Sequence, residues 1–301
     1  MAPLVAQWSS DYQQRAGVTV TYGAIGSGGG IAQITARTVD FGASDAPLTP
    51  DQADSCKGCL QVPWALAATL VVYNVNGVIN ELKLSGPVLA KIFLGEITRW
   101  NDPEIVRLNP TRKLPNIEIT TVHRSDGSGD TYAFSDYLAK VSPEWQSKEG
   151  VSTQVSFPGG VGVKGNDGVT SFIAENDGSI GYLGISYVFS NDLNFALIRN
   201  AAGTFPAPGI ATILAAAKTV KTIPPDNAIS ITDPPASAPN AYPISTFTYA
   251  IVPKDSAKAS TLRPFLTYVV TAGQQFAQPL HFAVLPPAVV AAARKTIDTI
   301  D

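Results

Sequence analysis

At 301 residues the chain is long enough for two domains with ample buried core, and a minimal peptide module is excluded. Charged residues are only 15% against 45% hydrophobic, which excludes disorder sustained by charge. A net charge of −3 with no run of Lys and Arg leaves a nucleic-acid binder without its counterion-release term, so no nucleic-acid partner is expected. The longest apolar run, 64–73, is about half of the roughly 18 residues that a membrane helix needs. No basic stretch followed by an apolar one precedes Val5, so any export signal is expected outside this sequence.

In chain order, Val18, Val20 and Tyr22 alternate with threonines, which predicts a strand over 18–22. It runs into a glycine turn, Gly23 to Gly30, and then into helical spacing at Ile31, Ile34 and Thr35. A second short strand is expected over 39–44, followed by a helix capped by Thr49 with Pro50 at its first position. The two cysteines are Cys56 and Cys59, and the only histidines, His123 and His281, are remote singletons. That excludes a zinc site, and the pair does not open a helix as a redox motif would. A local disulfide is expected, as suits an exported protein. No metal site is expected elsewhere, since Asp102, Asp126 and Asp167 fit no calcium-loop spacing.

A buried strand is read over 69–75 and a helix over 85–100, with Val88, Leu89, Ile92 and Phe93 on one face. Asn101, Asp102 and Pro103 open another helix. The run 117–122 alternates as a strand and ends in a second polar glycine turn, His123 to Thr131, before a helical segment with Tyr132, Phe134, Tyr137 and Leu138. Further units are expected at 166–174, 180–187, 210–217 and 262–270, with a strand at 247–252 and surface loops at 204–209 and 222–243. Strands alternating with helices argue an α/β fold. Trp8, Trp64, Trp100 and Trp145 are expected in the core, and His123 is read as a strand-end residue.

A turn that presents backbone N–H groups, hydroxyls and a helix N-terminus to one point can hold an anion, and both glycine turns qualify. A tight structural turn is the alternative. The nucleotide versions are absent: GxxxxGK[ST] does not occur, and Ile31 stands where the last glycine of G-x-G-x-x-G belongs.

Six blocks, taken together, carry a family resemblance: Ile25 to Gly30, Val39 to Pro47, Ile92 to Pro103, Arg124 to Gly129, Lys164 to Gly168, and Ile180 to Tyr182. In this order they resemble the periplasmic phosphate-binding proteins of bacterial ABC phosphate importers. The resemblance implies an α/β, two-lobed periplasmic-binding-protein fold of type II. A hinge joins lobe one, 1–73 plus 245–301, to lobe two, 74–244, and the cleft between them closes on inorganic phosphate. It also implies an exported, monomeric protein that delivers phosphate to an ABC permease, with no cofactor and no catalysis. The phosphate ligands carried over are Ser27, Asp45, Arg124, Ser128, Gly129 and Asp130, with Asp126, Gly26 and Gly28 in support. Ser27, Ser128 and Gly129 supply neutral donors, and Arg124 a charged fork held by Asp126. Asp45 suits an anion that carries a proton, which phosphate does near neutrality and sulfate does not. Against the family pattern the first N-terminal strand is missing, and Asp130 stands where other members offer a threonine. The Asp130 carboxylate either joins Asp45 as a second proton acceptor or turns away as a helix cap. The competing functions are a phosphatase or phosphotransferase using the same cradle, and a surface protein that has lost its ligand.

Overall fold

The computed structural model describes residues 1–79 and 81–301, and the chain divides into two compact units. The first comprises Met1–Ala67, Val220–Ser230 and Thr246–Asp301, the second Ala68–Thr219 and Ile231–Ser245. In the first unit, helix α1 (Ala2–Ala16) carries Pro3 in its opening turn, buries Leu4, Val5, Trp8 and Tyr12 as one stripe, and stops at Gly17 with φ of 68°.

The strand expected over 18–22 does not form. Residues 18–21 have no backbone hydrogen bond among the described residues, and alternation without a partner ladder does not make a strand. The segment instead lines a cavity of about 580 Å³ together with residues 38–43, Leu262 and Phe265.

Helix α2 (Gly26–Thr35) starts at Gly26, whose φ of 78° favours glycine. It lies so close to strand β1 (Gly42–Ser44) that a Cβ on Gly30 would sit 2.5 Å from the Ala43 carbonyl oxygen. Helix α3 (Pro50–Ser55) has the expected cap: Thr49 Oγ1 accepts from the Gln52 N–H, and the Gln52 side chain accepts from the Thr49 N–H. The expected disulfide joins Cys56 to Cys59, between α3 and strand β2 (Cys59–Asn74). Strand β2 begins in the first unit and ends in the second.

The second unit continues with β3 (Leu82–Leu84) and α4 (Gly86–Phe93), which buries Val88, Leu89, Ile92 and Phe93 as expected. The helix read over 85–100 ends there because Gly95 takes a left-handed φ of 77°. Then come α5 (Pro103–Leu108), whose Glu104 N–H donates to Asp102 at 2.8 Å, β4 (Thr120–Arg124), α6 (Gly129–Val141) and α7 (Pro143–Lys148). After them follow β5 (Val161–Val163), α8 (Gly165–Glu175), β6 (Ser179–Gly184), α9 (Ile185–Ser190), β7 (Ala196–Ile198) and α10 (Ile210–Ala217). Within this unit the sheet order is β2-β6-β4-β5. β6 runs antiparallel to β2, and β4 runs parallel to both β6 and β5. β3 and β7 form a separate parallel pair.

Strand β8 (Ser245–Pro253), buried along its length, leads back to the first unit, where it lies between β1 and β2. Helices α11 (Ala259–Val270) and α12 (Pro287–Ile297) complete that unit. Trp8 and Trp64 are fully buried in the first unit, Trp100 and Trp145 in the second, as expected. Among the described residues no helix is long and apolar enough to cross a membrane.

Candidate functional site

In the second unit the parallel neighbours β4 and β5 each run straight into a helix N-terminus, α6 after a turn and α8 directly. The carboxyl ends of parallel strands are where α/β sheets gather ligands. Arg124 is the last residue of β4, and its side chain is only 6% exposed. Such a charge is stable only if it is paired and hydrogen-bonded. Asp126 supplies the pair, accepting from Nε at 2.7 Å and from Nη2 at 2.5 Å. Asn166, in the first turn of α8, accepts from Nη1 at 2.6 Å.

Burial alone would lower the Arg124 pKa, but the Asp126 hydrogen bonds and the Asp130 and Asp126 charges outweigh it and raise it. Burial would likewise raise the Asp126 carboxyl, yet Arg124 and the Gly165 N–H, 3.0 Å away at the start of α8, hold it below the usual carboxylate range. A guanidinium has five N–H groups. Three are engaged by Asp126 and Asn166, leaving one on each terminal nitrogen without a hydrogen bond among the described residues.

Ser128 caps α6, its Oγ accepting from the Asp130 N–H at 3.1 Å and the Thr131 N–H at 3.4 Å. Its own N–H, expected to face a ligand, donates to the Thr153 carbonyl at 2.7 Å. The Gly129 N–H has no partner among the described residues, as the first turn of a helix leaves it. Asp130 turns neither to solvent nor to a cap. It is buried, Oδ1 accepts from the Thr69 hydroxyl at 2.8 Å, and Oδ2 lies 3.7 Å from Arg124 Nη1. Beneath these groups Tyr182 shares a hydrogen bond of 2.8 Å with Thr131 and accepts from the Arg124 N–H at 3.4 Å. Burial pushes its phenol pKa well up, so it stays neutral. The result is a buried fork with free donors beside a buried acceptor, an arrangement that can take an oxyanion carrying a proton.

In the first unit Ser27 and Asp45 also lie together. Ser27 is buried at the start of α2 and accepts from the Asp45 N–H at 3.1 Å, so its own hydroxyl proton is available to donate elsewhere. The Asp45 carbonyl accepts from Thr246 Oγ1 at 3.0 Å. Gly26 and Gly28 flank Ser27 in the first turn of α2. The sequence reading missed Thr69, Asn166, Thr131 and Tyr182. Asn166 sits inside the Lys164 to Gly168 block, which is the one signal that pointed to it. Among the described residues no group of three or more His, Cys, Asp or Glu is placed to hold a metal ion.

A family model described as a PBP superfamily domain matches residues 1–272. The phosphate-binding protein PstS of Xylella fastidiosa strain Temecula1 is 42% identical over 294 residues, covering 96% of this chain and 80% of that protein. That of Haemophilus influenzae is 37% identical over 293 residues, covering 96% and 87%. Among solved structures, a human phosphate binding apolipoprotein aligns with a TM-score of 0.76 at 20% identity, covering 97% of this chain and 92% of the other. That last likeness is one of fold.

Proposed function

The chain belongs to the PBP superfamily and, within it, to the phosphate-binding proteins named PstS, and from that premise we propose that it binds inorganic phosphate and hands it to an ABC importer. The observation that carries this reading is the Arg124 cluster. A purely attractive anion site would surround the ligand with donors. Here the guanidinium keeps two N–H groups for an anion, while Asp130 Oδ2, a bare acceptor, lies 3.7 Å from the same group. Sulfate has no proton to offer that acceptor near neutrality, and phosphate has.

Arg124, Ser128, Gly129 and Asp130 are the proposed ligands in the second unit, with Asp126 holding the arginine. Ser27 and Asp45, supported by Gly26 and Gly28, are the proposed ligands in the first. For Ser128 the hydroxyl is the group left to act, because its N–H is spent on Thr153. The protein is a carrier and not an enzyme, working as a monomer outside the cytoplasmic membrane with the permease as its partner. Calorimetric titration with phosphate and with sulfate at pH 7 tests this. Phosphate should release heat with one-to-one saturation while sulfate gives none, and equal binding of the two anions, or of neither, would overturn the reading.

A further inference from the structure

Asp130 is held from behind by a residue no part of the anion-cradle pattern pointed to. Thr69, on β2, is 1% exposed and fixed on both sides of its backbone: its N–H donates to the Ile244 carbonyl at 3.0 Å, and its carbonyl accepts from Tyr242 Oη at 3.2 Å. It pairs with Gly184 of β6, where a Cβ would stand 3.5 Å from Asp130 Oδ1. The hydroxyl that results from this frame points at one place, Asp130 Oδ1, at 2.8 Å. A hydroxyl carries a single proton. Given to Oδ1, it leaves Oδ2 as the oxygen turned toward Arg124, and at 3.7 Å that contact is too long for a hydrogen bond.

We infer that Thr69 is a positioning residue for anion specificity: it locks the Asp130 carboxylate so that Oδ2 accepts a hydrogen bond from a protonated oxygen of the bound phosphate. The inference rests on the phosphate reading of the site. The charged and titratable groups facing Asp130 are Arg124 at the end of β4, which Asp126 clamps from the turn beyond, Tyr182 on β6 and Tyr187 on α9. Burial raises the pKa of both tyrosines, so neither phenol supplies a charge near neutrality. The proton that matters in this range therefore belongs to phosphate itself, which changes between one and two protons near pH 7.

The test is calorimetric titration with inorganic phosphate at pH 6 and pH 8.5 on wild type, Thr69→Val, Thr69→Ser, Asp130→Asn and the Thr69→Val/Asp130→Asn pair. Wild-type affinity should fall between the two pH values. Thr69→Val should weaken binding at pH 6 by roughly tenfold, the loss of a hydrogen bond to a charged group, and should flatten the pH dependence. Thr69→Ser should match wild type, and Thr69→Val should cost nothing more once Asp130 is Asn. A Thr69→Val protein with wild-type affinity and slope, or losses that multiply in the pair, overturns the inference. If Thr69→Val does not fold, Asp130→Asn decides: an unchanged pH profile there refutes it, since Thr69 can act only through Asp130. Failure of wild type to bind phosphate at either pH would instead remove the functional reading itself.

Discussion

Replacing Asp126 with alanine strips the buried Arg124 of its pair. The substitution removes acceptors at 2.7 and 2.5 Å from a guanidinium that is 6% exposed, and it also removes the cap on the Gly165 N–H at 3.0 Å. Breaking a buried ion pair by deleting one partner costs about 3–5 kcal/mol. Asp126 is itself 17% exposed, and Asn166 and Asp130 remain beside Arg124. The lower end, about 3 kcal/mol, is therefore expected. At roughly 2–4 °C per kcal/mol this lowers the melting temperature by about 6–12 °C.

The pH dependence has a definite sign. The Asp126 carboxyl is held below its ordinary value of 3.8 in the folded protein. Its contribution is thus fully present above that value and is lost as pH falls through the folded one. Urea denaturation followed by tryptophan fluorescence should show a gap between wild type and Asp126→Ala that is constant from pH 5 to 7. Below about pH 4 the gap should shrink. A gap under about 0.5 kcal/mol at pH 7, or one that widens in acid, would show that Asp126 does not hold the buried guanidinium.

Three further outcomes follow from the same geometry. Asn166→Ala removes one acceptor from Arg124 Nη1 and should weaken phosphate binding by about 1.5–3 kcal/mol, read by calorimetry; unchanged affinity would make Asn166 a bystander. Gly30→Ala sets a Cβ 2.5 Å from the Ala43 carbonyl oxygen and should cost about 1–3 kcal/mol of stability in a thermal melt; a neutral result would contradict the close approach of α2 and β1. Asp45→Asn should narrow the ratio of phosphate to sulfate affinity. An unchanged ratio would leave proton discrimination to Asp130 alone.

What could be read in the sequence was whatever local chemistry dictates. Thr49 and Pro50 announce the start of α3, and Thr49 caps it as expected. Ser128 ahead of α6 and the buried stripe of α4 are equally local. The apolar alternation of 18–22 misled because a strand also needs a neighbour's backbone, and none pairs with 18–21 among the described residues. The contacts that tune the site were hidden for the same reason. Thr69 reaches Asp130 across 61 positions and Asn166 reaches Arg124 across 42, distances that only the pairing of β6 with β2 and of β5 with β4 brings to hydrogen-bond range. The partner of the Ser128 N–H, the Thr153 carbonyl, is likewise remote in sequence.

In the proposed site a buried, clamped arginine beside an acceptor selects phosphate. Equilibrium dialysis of wild type and Arg124→Ala at pH 7 against radiolabelled phosphate, with and without a large excess of unlabelled sulfate, tests it most directly. Wild type should retain one phosphate per chain undiminished by sulfate, and Arg124→Ala should lose about 2–5 kcal/mol of binding, the cost of removing one partner of a buried charge pair. Equal retention by the two proteins, or displacement of phosphate by sulfate from wild type, would contradict the account.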